Sequence, residues 1–192
     1  DGDGYGDNSS GFEADRCVAN AGDSRWKIIW NESTELYDTI IWLGCPDNDQ
    51  DGYANNGEAF PNDATQWSDR DGDQCGDNAS GDNADLFPDD GTQCTDRDGD
   101  GYGDTPIGPN GDWFPDDPTQ WKDSDGDGYG DNYANESWTE NRNASWPGIH
   151  FPDAANPDVC PLDWGQVTTE EARGCPDSDN DGVPDPDDEY PD

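Results

Sequence analysis

An acidic stretch, DSDGDGYGDN at residues 123–132, sets a pattern that recurs along the whole chain. The pattern D-x-D-x-D starts five times, and a sixth copy, DGDGYGDN at residues 1–8, lacks only the first two residues. The five starts are Asp47, Asp69, Asp96, Asp123 and Asp177. The starts at 69, 96 and 123 are 27 residues apart, which predicts an array of structural repeats.

A second phrase lies between the acidic stretches and begins with an aromatic residue and a proline. Its full copies are FPNDATQW at residues 60–67, FPDDGTQC at 87–94 and FPDDPTQW at 114–121. Degenerate copies are FPDAANPD at 151–158 and YPD at 190–192. The repeating unit is therefore one acidic loop followed by one turn, and its Gly, Pro, Asp and Asn are too dense for long helices.

The composition of the chain requires a neutralising partner if the chain is to fold. Its 192 residues include 48 Asp and Glu against 8 Lys and Arg, the formal net charge is -40, and only 28% of the residues are hydrophobic. Such a chain buries too little apolar surface to offset its conformational entropy. Multivalent cations are the obvious neutralisers, whereas a field of this sign repels the phosphates of nucleic acid.

The spacing of oxygen-bearing residues in the acidic loops is typical of calcium sites. A short calcium loop offers side chains at positions 1, 3 and 5, a backbone carbonyl at 7, further oxygens at 9 and 12, and glycine at 6. Two loops fill every slot. Their predicted ligands are Asp47, Asp49, Asp51, Tyr53, Asn55 and Glu58 in one, and Asp177, Asp179, Asp181, Val183, Asp185 and Asp188 in the other.

Three other loops lack an acid at position 12 but have one slightly later. Asp15, Asp85 and Asp112 each lie eight residues after position 9 and two before the next turn. We infer that they close their loops, with a five-residue insert that bulges outward. The ligands predicted for these loops are Asp1, Asp3, Tyr5, Asp7 and Asp15; Asp69, Asp71, Asp73, Cys75, Asp77 and Asp85; and Asp96, Asp98, Asp100, Tyr102, Asp104 and Asp112.

Two loops depart from the pattern. In the Asp123 loop no acid stands in the equivalent place before Phe151, so the closing ligand stays open. Its other predicted ligands are Asp123, Asp125, Asp127, Tyr129 and Asp131. In the Asp69 loop, Gln74 replaces the glycine at position 6, which is unfavourable if the backbone there needs a positive φ.

The loops, the Cys-Pro or Phe-Pro turns and the links to Gln together resemble the thrombospondin type 3 repeat. The residues that carry the resemblance are DNDQDGYANNGEAFP at 47–61, DPTQWKDSDGDGYGD at 117–131 and CPDSDNDGVPDPDDEYP at 175–191. The motifs DGDGYGDN and FPxDxTQW are also similar to arrays in long secreted surface proteins of prokaryotes. The resemblance implies a mostly irregular chain that wraps around calcium ions, with one to two ions per loop. It also implies that Asp63, Asp90 and Asp117, which precede x-x-Q, bind a second ion.

The repeat pattern predicts how the six cysteines pair. Cys17 and Cys160 each take the aromatic slot of a turn, and each is followed by an insertion that ends in GCPD at Cys45 and Cys175. We therefore expect Cys17–Cys45 and Cys160–Cys175, each closing an insertion at its base. The remaining pair is Cys75–Cys94. In the next repeat Tyr102 and Trp121 occupy those two slots, so we expect their rings to pack together.

Two insertions interrupt the array and divide the chain. RWKIIWNESTELYDTIIWL at residues 25–43 predicts a small β-hairpin, with a helix at 34–43 as the alternative. TTEEARG, at 168–174, could form a short helix. The predicted segments are a partial first repeat at 1–24, the apolar insertion at 25–44, tandem repeats at 45–159, a disulfide-bracketed insertion at 160–176 and a truncated last repeat at 177–192.

Cysteines and glycosylation motifs indicate an extracellular or cell-surface location. Five Asn-x-Ser/Thr acceptors are present, at Asn8, Asn31, Asn78, Asn135 and Asn143. With disulfides they favour a secreted glycoprotein. There is no signal peptide and no apolar run near 18 residues, so we expect no membrane span in this segment.

The sequence favours a structural, non-enzymatic calcium-binding module, a rigid glycosylated rod, stalk or filament segment whose folding depends on calcium. His150 is the only histidine and is expected to pack rather than catalyse. The alternative is an adhesin or carbohydrate- or partner-recognition module that uses Trp26, Trp30 and Trp42. Both ends of the chain fall inside a repeat. We expect continuation into a longer array, or self-association in which one tail completes the first site of the next chain.

Overall fold

The computed structural model describes residues 17, 20, 22, 24–31, 33–34, 36–41, 43–140, 147–185 and 187–191, which form parts of two compact units, Asp1–Cys94 and Thr95–Asp192. The fold is mostly irregular. Its regular elements in the described residues are strand β1 (Trp26–Asn31), strand β2 (Leu36–Ile41) and a 3-10 helix (Glu136–Glu140). The predicted ligands Asp1, Asp3, Tyr5, Asp7 and Asp15 and the acceptors Asn8 and Asn143 lie outside the described residues.

Strands β1 and β2 form an antiparallel pair in the first unit. The register runs from Trp26 opposite Ile41 to Asn31 opposite Leu36. At the turn, Thr34 N–H donates to the Asn31 carbonyl (3.3 Å), and Asn31 Oδ1 accepts the Ser33 N–H (3.0 Å). The β-branched and aromatic residues of this segment thus adopt strands, and the helix considered for residues 34–43 does not form.

Strand β1 also attaches to the first described acidic loop. The N–H groups of Arg25 and Trp26 both donate to the Gly52 carbonyl, at 2.7 and 2.8 Å. In return the Ala54 N–H donates to the Trp26 carbonyl at 2.9 Å, and Ile28 N–H donates to the Gly57 carbonyl at 3.1 Å. The apolar insertion is therefore an extension of the loop at residues 47–58 rather than a separate structure.

The described part of the chain has a polar interior instead of a large apolar core. Its largest fully buried side chains are those of Gln66, Gln93 and Gln120, each the Gln of a TQW or TQC phrase. The buried apolar residues are mostly alanines and disulfide cysteines. Hydrogen bonds and covalent bridges, rather than apolar burial, consequently determine how the loops are placed.

Two of the buried glutamines, Gln66 and Gln120, each join a turn to the loop that follows it. Gln66 Nε2 donates to the carbonyls of Asn78 and Asp82, at 3.0 and 2.9 Å, and its Oε1 accepts the Asn78 N–H at 3.0 Å. Gln120 makes the equivalent three bonds to the insert of the Asp123 loop. Each of these two glutamine side chains therefore holds both the beginning and the end of an insert.

The aromatic-proline turns share one backbone bond and one side-chain cap. Asp117 N–H donates to the Phe114 carbonyl (2.8 Å), and Asp117 Oδ1 accepts the Thr119 hydroxyl (2.6 Å). The turns at 60–67 and 87–94 have the same contacts. Residues 168–174 also form turns, so the short helix considered there is absent, and the Ala172 N–H donates to the Thr169 carbonyl at 3.2 Å.

Three disulfides and two aromatic stacks hold the repeats. The pairs are Cys17–Cys45, Cys75–Cys94 and Cys160–Cys175, as the repeat alignment predicts. The predicted packing of Tyr102 on Trp121 is confirmed, with ring centroids 4.8 Å apart. Tyr53 and Trp67 stack in the same way at 5.4 Å. In the loops that begin at Asp47, Asp69 and Asp96, the residue at position 7 is thus held by a ring or a disulfide from the following turn.

Candidate metal centres

In each acidic loop that the structure describes, the backbone donates to the first aspartate of that loop. At the Asp96 loop, Gly99 N–H donates to Asp96 Oδ1 (2.7 Å) and Gly101 N–H donates to Oδ2 (2.9 Å). The residues at positions 4 and 6 donate in the same way in the loops that begin at Asp47, Asp69 and Asp123. These bonds turn the chain sharply around the first carboxylate.

The aspartates at positions 3 and 5 use one oxygen to hold the loop and leave the other without a donor. Asp98 Oδ1 accepts the Asp100 N–H (3.2 Å), and Asp100 Oδ1 accepts the Tyr102 N–H (2.8 Å). The Oδ2 atoms of Asp98 and Asp100 are buried and receive no hydrogen bond. The same is true of Oδ2 in Asp49, Asp51, Asp71, Asp125 and Asp127.

The carboxylates at positions 1, 3 and 5 lie close to one another. In the loops that begin at Asp47, Asp69, Asp96 and Asp123, one carboxylate oxygen from each of positions 1, 3 and 5 lies within 4.8 Å of the other two. Burial, and after it the negative charge of Asp127, raises the pKa of Asp125 to about 6. A cation among these oxygens would both replace the missing donors and remove the repulsion.

The residue at position 9 fastens the far end of each loop to its beginning. Asp104 Oδ1 accepts the Arg97 N–H at 2.8 Å. The equivalent bond to the amide at position 2 is made by Asn55, Asp77, Asp131 and Asp185. The first nine residues of a loop therefore form a closed ring. An acid from outside this ring would complete the candidate metal site.

Among the described residues, the closing acids Asp85, Asp112 and Glu58 lie at the loops to which they were assigned. The N–H groups of Asp85 and Asp112 donate to the carbonyls of Gly76 and Gly103, both at 2.9 Å. Burial raises the pKa of each carboxyl to about 6, and the aspartates of the loop add to the effect. Both oxygens of Glu58 are buried without a donor, and burial raises its pKa to about 8.

Asp158 is a candidate ligand that the sequence did not reveal, and it closes the Asp123 loop. Its N–H donates to the Gly130 carbonyl (2.9 Å), and its Oδ1 accepts the Cys160 N–H (2.7 Å). The closing acid of the preceding loop makes the same two contacts. Burial raises the pKa of Asp158 to about 8, and the charge of Asp127 contributes.

The spacing between Asp158 and the following turn is the sequence signal that identifies it as a closing acid. Like other closing acids it lies two residues before the aromatic slot, which Cys160 fills. The sequence pattern pointed to Phe151 instead, but the structure shows that Phe151 begins a turn within the insert, where the Ala154 N–H donates to its carbonyl (2.9 Å). The insert of this loop is therefore much longer than five residues.

Gln74 adopts the backbone conformation that glycine has in the other loops. Its φ is 79°, against 95° for Gly101 at the same position of the next loop. A side chain in this left-handed region is strained by contact between Cβ and the backbone. The Gln74 N–H still donates to Asp69 Oδ2 (3.0 Å), so the loop keeps its geometry despite the strain.

Replacing Gln74 with glycine is expected to stabilise the chain. The change Gln74→Gly removes the left-handed strain and should raise the free energy of unfolding by about 1 kcal/mol. Thermal unfolding in calcium measures it. The matched reverse change, Gly101→Gln, should lower the stability by a similar amount, and equal stabilities for the two variants would contradict the expectation.

The disulfide at Cys75 and Cys94 lies beside the Asp69 loop but provides no thiolate. Cys94 Sγ is 3.0 Å from Asp73 Oδ2. A disulfide sulfur carries no hydrogen, so this contact is not a hydrogen bond and the oxygen resembles those at position 5 of the other loops. Cys75 was predicted as a ligand through its backbone carbonyl, and that prediction does not involve the sulfur.

The residues predicted to hold a second ion cap their own turns. The Oδ1 atoms of Asp63, Asp90 and Asp117 each accept a threonine hydroxyl at 2.6 Å. The charge of Asp117 also raises the pKa of Asp98 and of Asp100, after the larger effect of burial. Asp117 is therefore close to the Asp96 loop, as a second-site ligand would have to be.

The last described loop keeps the position-6 bond to its first aspartate, but Asp177 Oδ1 receives no hydrogen bond and the loop is more open. The Asp177 Oδ2 atom accepts the Gly182 N–H (3.0 Å), and Asp188 Oδ1 accepts the Tyr190 N–H (2.8 Å). The aspartates at its positions 3 and 5, Asp179 and Asp181, are exposed. The loop is thus preformed but less enclosed than those before it.

The described glycosylation motifs differ in how their asparagines are held. Asn135 is exposed, and its Oδ1 accepts both the N–H (3.0 Å) and the hydroxyl (2.7 Å) of Ser137. Asn78 is half-buried, and its Nδ2 donates to the Thr65 carbonyl at 2.8 Å. The attachment nitrogen of Asn78 is therefore already used by the fold.

No protein-family model, curated protein or solved structure matches this chain. A helix with the length and apolar character needed to cross a membrane is absent from the described residues. The chemistry of the loops is consequently the main guide to function.

Proposed function

We propose that this chain is an extracellular structural module whose repeats fold around calcium ions. The observation that carries the proposal is the set of buried carboxylate oxygens that have no donor. Asp85 is the clearest example, because it is only 4% exposed and its Oδ2 receives no hydrogen bond. Asp85 also lies near the carboxylates of its loop, because the charges of Asp73 and Asp71 raise its pKa in addition to the larger effect of burial.

Calcium fits this set of donors better than other common metals. Each site offers carboxylate oxygens, joined in the Asp47 loop by the amide oxygen of Asn55, with a backbone carbonyl expected at position 7. Hard oxygen donors suit calcium and magnesium, whereas zinc and copper favour imidazole and thiolate. Every cysteine is in a disulfide. Calcium accepts the six to eight ligands and irregular geometry that a flexible loop provides, while magnesium requires a near-octahedral site with several waters.

The proposed structural role follows from the dependence of folding on calcium. A chain with a formal net charge of -40 and little apolar interior gains most of its folding free energy when calcium is bound. The three disulfides suit an oxidising compartment outside the cell. Together with the resemblance to thrombospondin type 3 repeats, these properties support a stiff, glycosylated spacer, as a rod, stalk or filament segment.

Counting bound ions tests the proposal. Native mass spectrometry of the full chain in calcium should show several ions, about one to two per loop. Asp112→Asn should lose one ion or bind it at least about ten-fold more weakly, because its carboxylate completes the Asp96 loop. Asp153→Asn is the matched control, since Asp153 is exposed in a degenerate turn, and it should bind as many ions as the parent chain. A parent chain that binds no calcium would contradict the proposal.

A further inference from the structure

The insertion between Cys160 and Cys175 lies against the Asp123 loop within the second compact unit. Near its beginning, the backbone amide of Gly165 is close enough to the Asp127 carboxylate to oppose the rise in the pKa of Asp127 that burial causes. Near its end, a Cβ atom on Gly174 would lie 2.9 Å from Asp127 Oδ2 and would collide with Oδ1 of the closing acid. Both ends of the insertion thus approach the place where the carboxylates converge.

Arg173 places the end of the insertion in the slot that a tryptophan occupies in the preceding repeat. Its carbonyl accepts the amide of the residue after the closing acid, as the Trp121 carbonyl does one repeat earlier. Trp121 stacks on Tyr102, whereas the Arg173 guanidinium lies over the Tyr129 ring, 6.0 Å from its centroid. The insertion therefore docks on position 7 of the Asp123 loop.

The Asp123 loop is more buried at positions 1 and 9 than the other described loops, and its closing acid is as buried as Asp112. The exposed fractions are 8% for Asp123, 1% for Asp131 and 1% for the closing Asp158. In the other loops that the structure describes, the residues at positions 1 and 9 are only half-buried. The Asp123 loop is thus the described loop in which the first, ninth and closing residues are all buried.

We propose that the disulfide-bracketed insertion is a cap on the Asp123 loop, so that this loop holds the slowest-exchanging calcium ion of the described loops. The inference rests on the proposed calcium-binding function. An ion leaves when water replaces its carboxylate ligands, and the burial of Asp123, Asp131 and Asp158 restricts the access of water to those three. The Cys160–Cys175 bridge holds both ends of the cap together and so restrains its opening.

The rate of calcium release from the full chain tests the cap. The calcium-loaded protein is mixed with excess fluorescent chelator in a stopped-flow instrument, and the amplitude of each phase is calibrated in ions per chain. One ion should leave at least about ten-fold more slowly than the ions of the other described loops. Asp158→Asn should remove this slow phase, whereas the matched change Asp112→Asn should remove a faster-released ion and leave the slow phase intact.

Variants that open the cap but keep every ligand show whether the cap itself slows calcium release. Cys160→Ser with Cys175→Ser should retain the ion count but release the slow ion at the rate of the others. Cys17→Ser with Cys45→Ser, which opens the other bracketed insertion, should leave the slow phase unchanged. If the first double variant loses ions altogether, Arg173→Ala, which keeps the bridge, should still accelerate the slow phase.

The outcomes distinguish the cap from calcium binding itself. Release of every ion at one rate would overturn the cap while leaving calcium binding intact. So would a slow phase that survives Asp158→Asn, or one that neither the Cys160→Ser/Cys175→Ser pair nor Arg173→Ala accelerates. A chain that binds no calcium in the counting experiment would overturn the proposed function, and the cap with it.

Discussion

Chelation of divalent cations is expected to unfold most of this chain. Without an ion, the loops that begin at Asp47, Asp69, Asp96 and Asp123 each contain three carboxylates whose oxygens lie within 4.8 Å of one another, and several of these oxygens have no donor. The interior offers little apolar burial to compensate for this repulsion. Excess chelator should therefore abolish most of the near-ultraviolet circular dichroism from the packed aromatic rings and increase the radius of gyration in X-ray scattering.

Two controls make the chelation result specific. Restoring calcium should recover the original spectrum, because the disulfides preserve the pairing of the chain during unfolding. Adding the same ionic strength as sodium chloride should recover much less, since monovalent ions screen charge but do not bridge carboxylates. A chain that keeps its aromatic signal and its dimensions in chelator would refute metal-dependent folding.

Gln120→Ala is expected to be the most damaging single substitution away from the carboxylates. Gln120 is 1% exposed, and its Nε2 donates to the carbonyls of Asn132 (2.9 Å) and Ala155 (2.8 Å). Its Oε1 accepts the Asn132 N–H at 3.0 Å. The change leaves three backbone groups without this partner and creates a cavity, so the free energy of unfolding in calcium should fall by at least about 3 kcal/mol.

A matched glutamine controls for the loss of the side chain itself. Gln166 is exposed, so Gln166→Ala should change the stability by less than about 0.5 kcal/mol. Chemical unfolding followed by tryptophan fluorescence compares the two variants. Equal midpoints for Gln120→Ala and Gln166→Ala would show that the buried amide does not hold the insert.

The sequence predicted the local parts of the candidate sites well because their determinants are local. Position 1 of a loop binds amides three and five residues later, so a twelve-residue pattern contains nearly all the information. The closing acids Asp85 and Asp112 were found because two inserts have the same length. Asp158 was not, because 27 residues separate it from Asp131 and an internal Phe-Pro turn imitates the end of the repeat.

Contacts between distant segments were the part that the sequence could not supply. The TQ phrase was visible, but nothing in it shows that Gln120 reaches Ala155, 35 residues away. The segment TTEEARG has helical residues and a stop signal, yet it forms turns because Arg173 and Gly174 are drawn onto the Asp123 loop. In both cases tertiary contacts decide a structure that local propensity leaves undetermined.

The way in which the loops close has a consequence for how such chains can be lengthened. From position 9 to the closing acid, the interval is three residues at Glu58, eight at Asp112 and 27 at Asp158. The two longer inserts nevertheless return to the same glycine carbonyl with the same bond of 2.9 Å. This junction is therefore a natural splice point, where evolution or a protein engineer can add an epitope or a small domain while the ring of ligands stays unchanged.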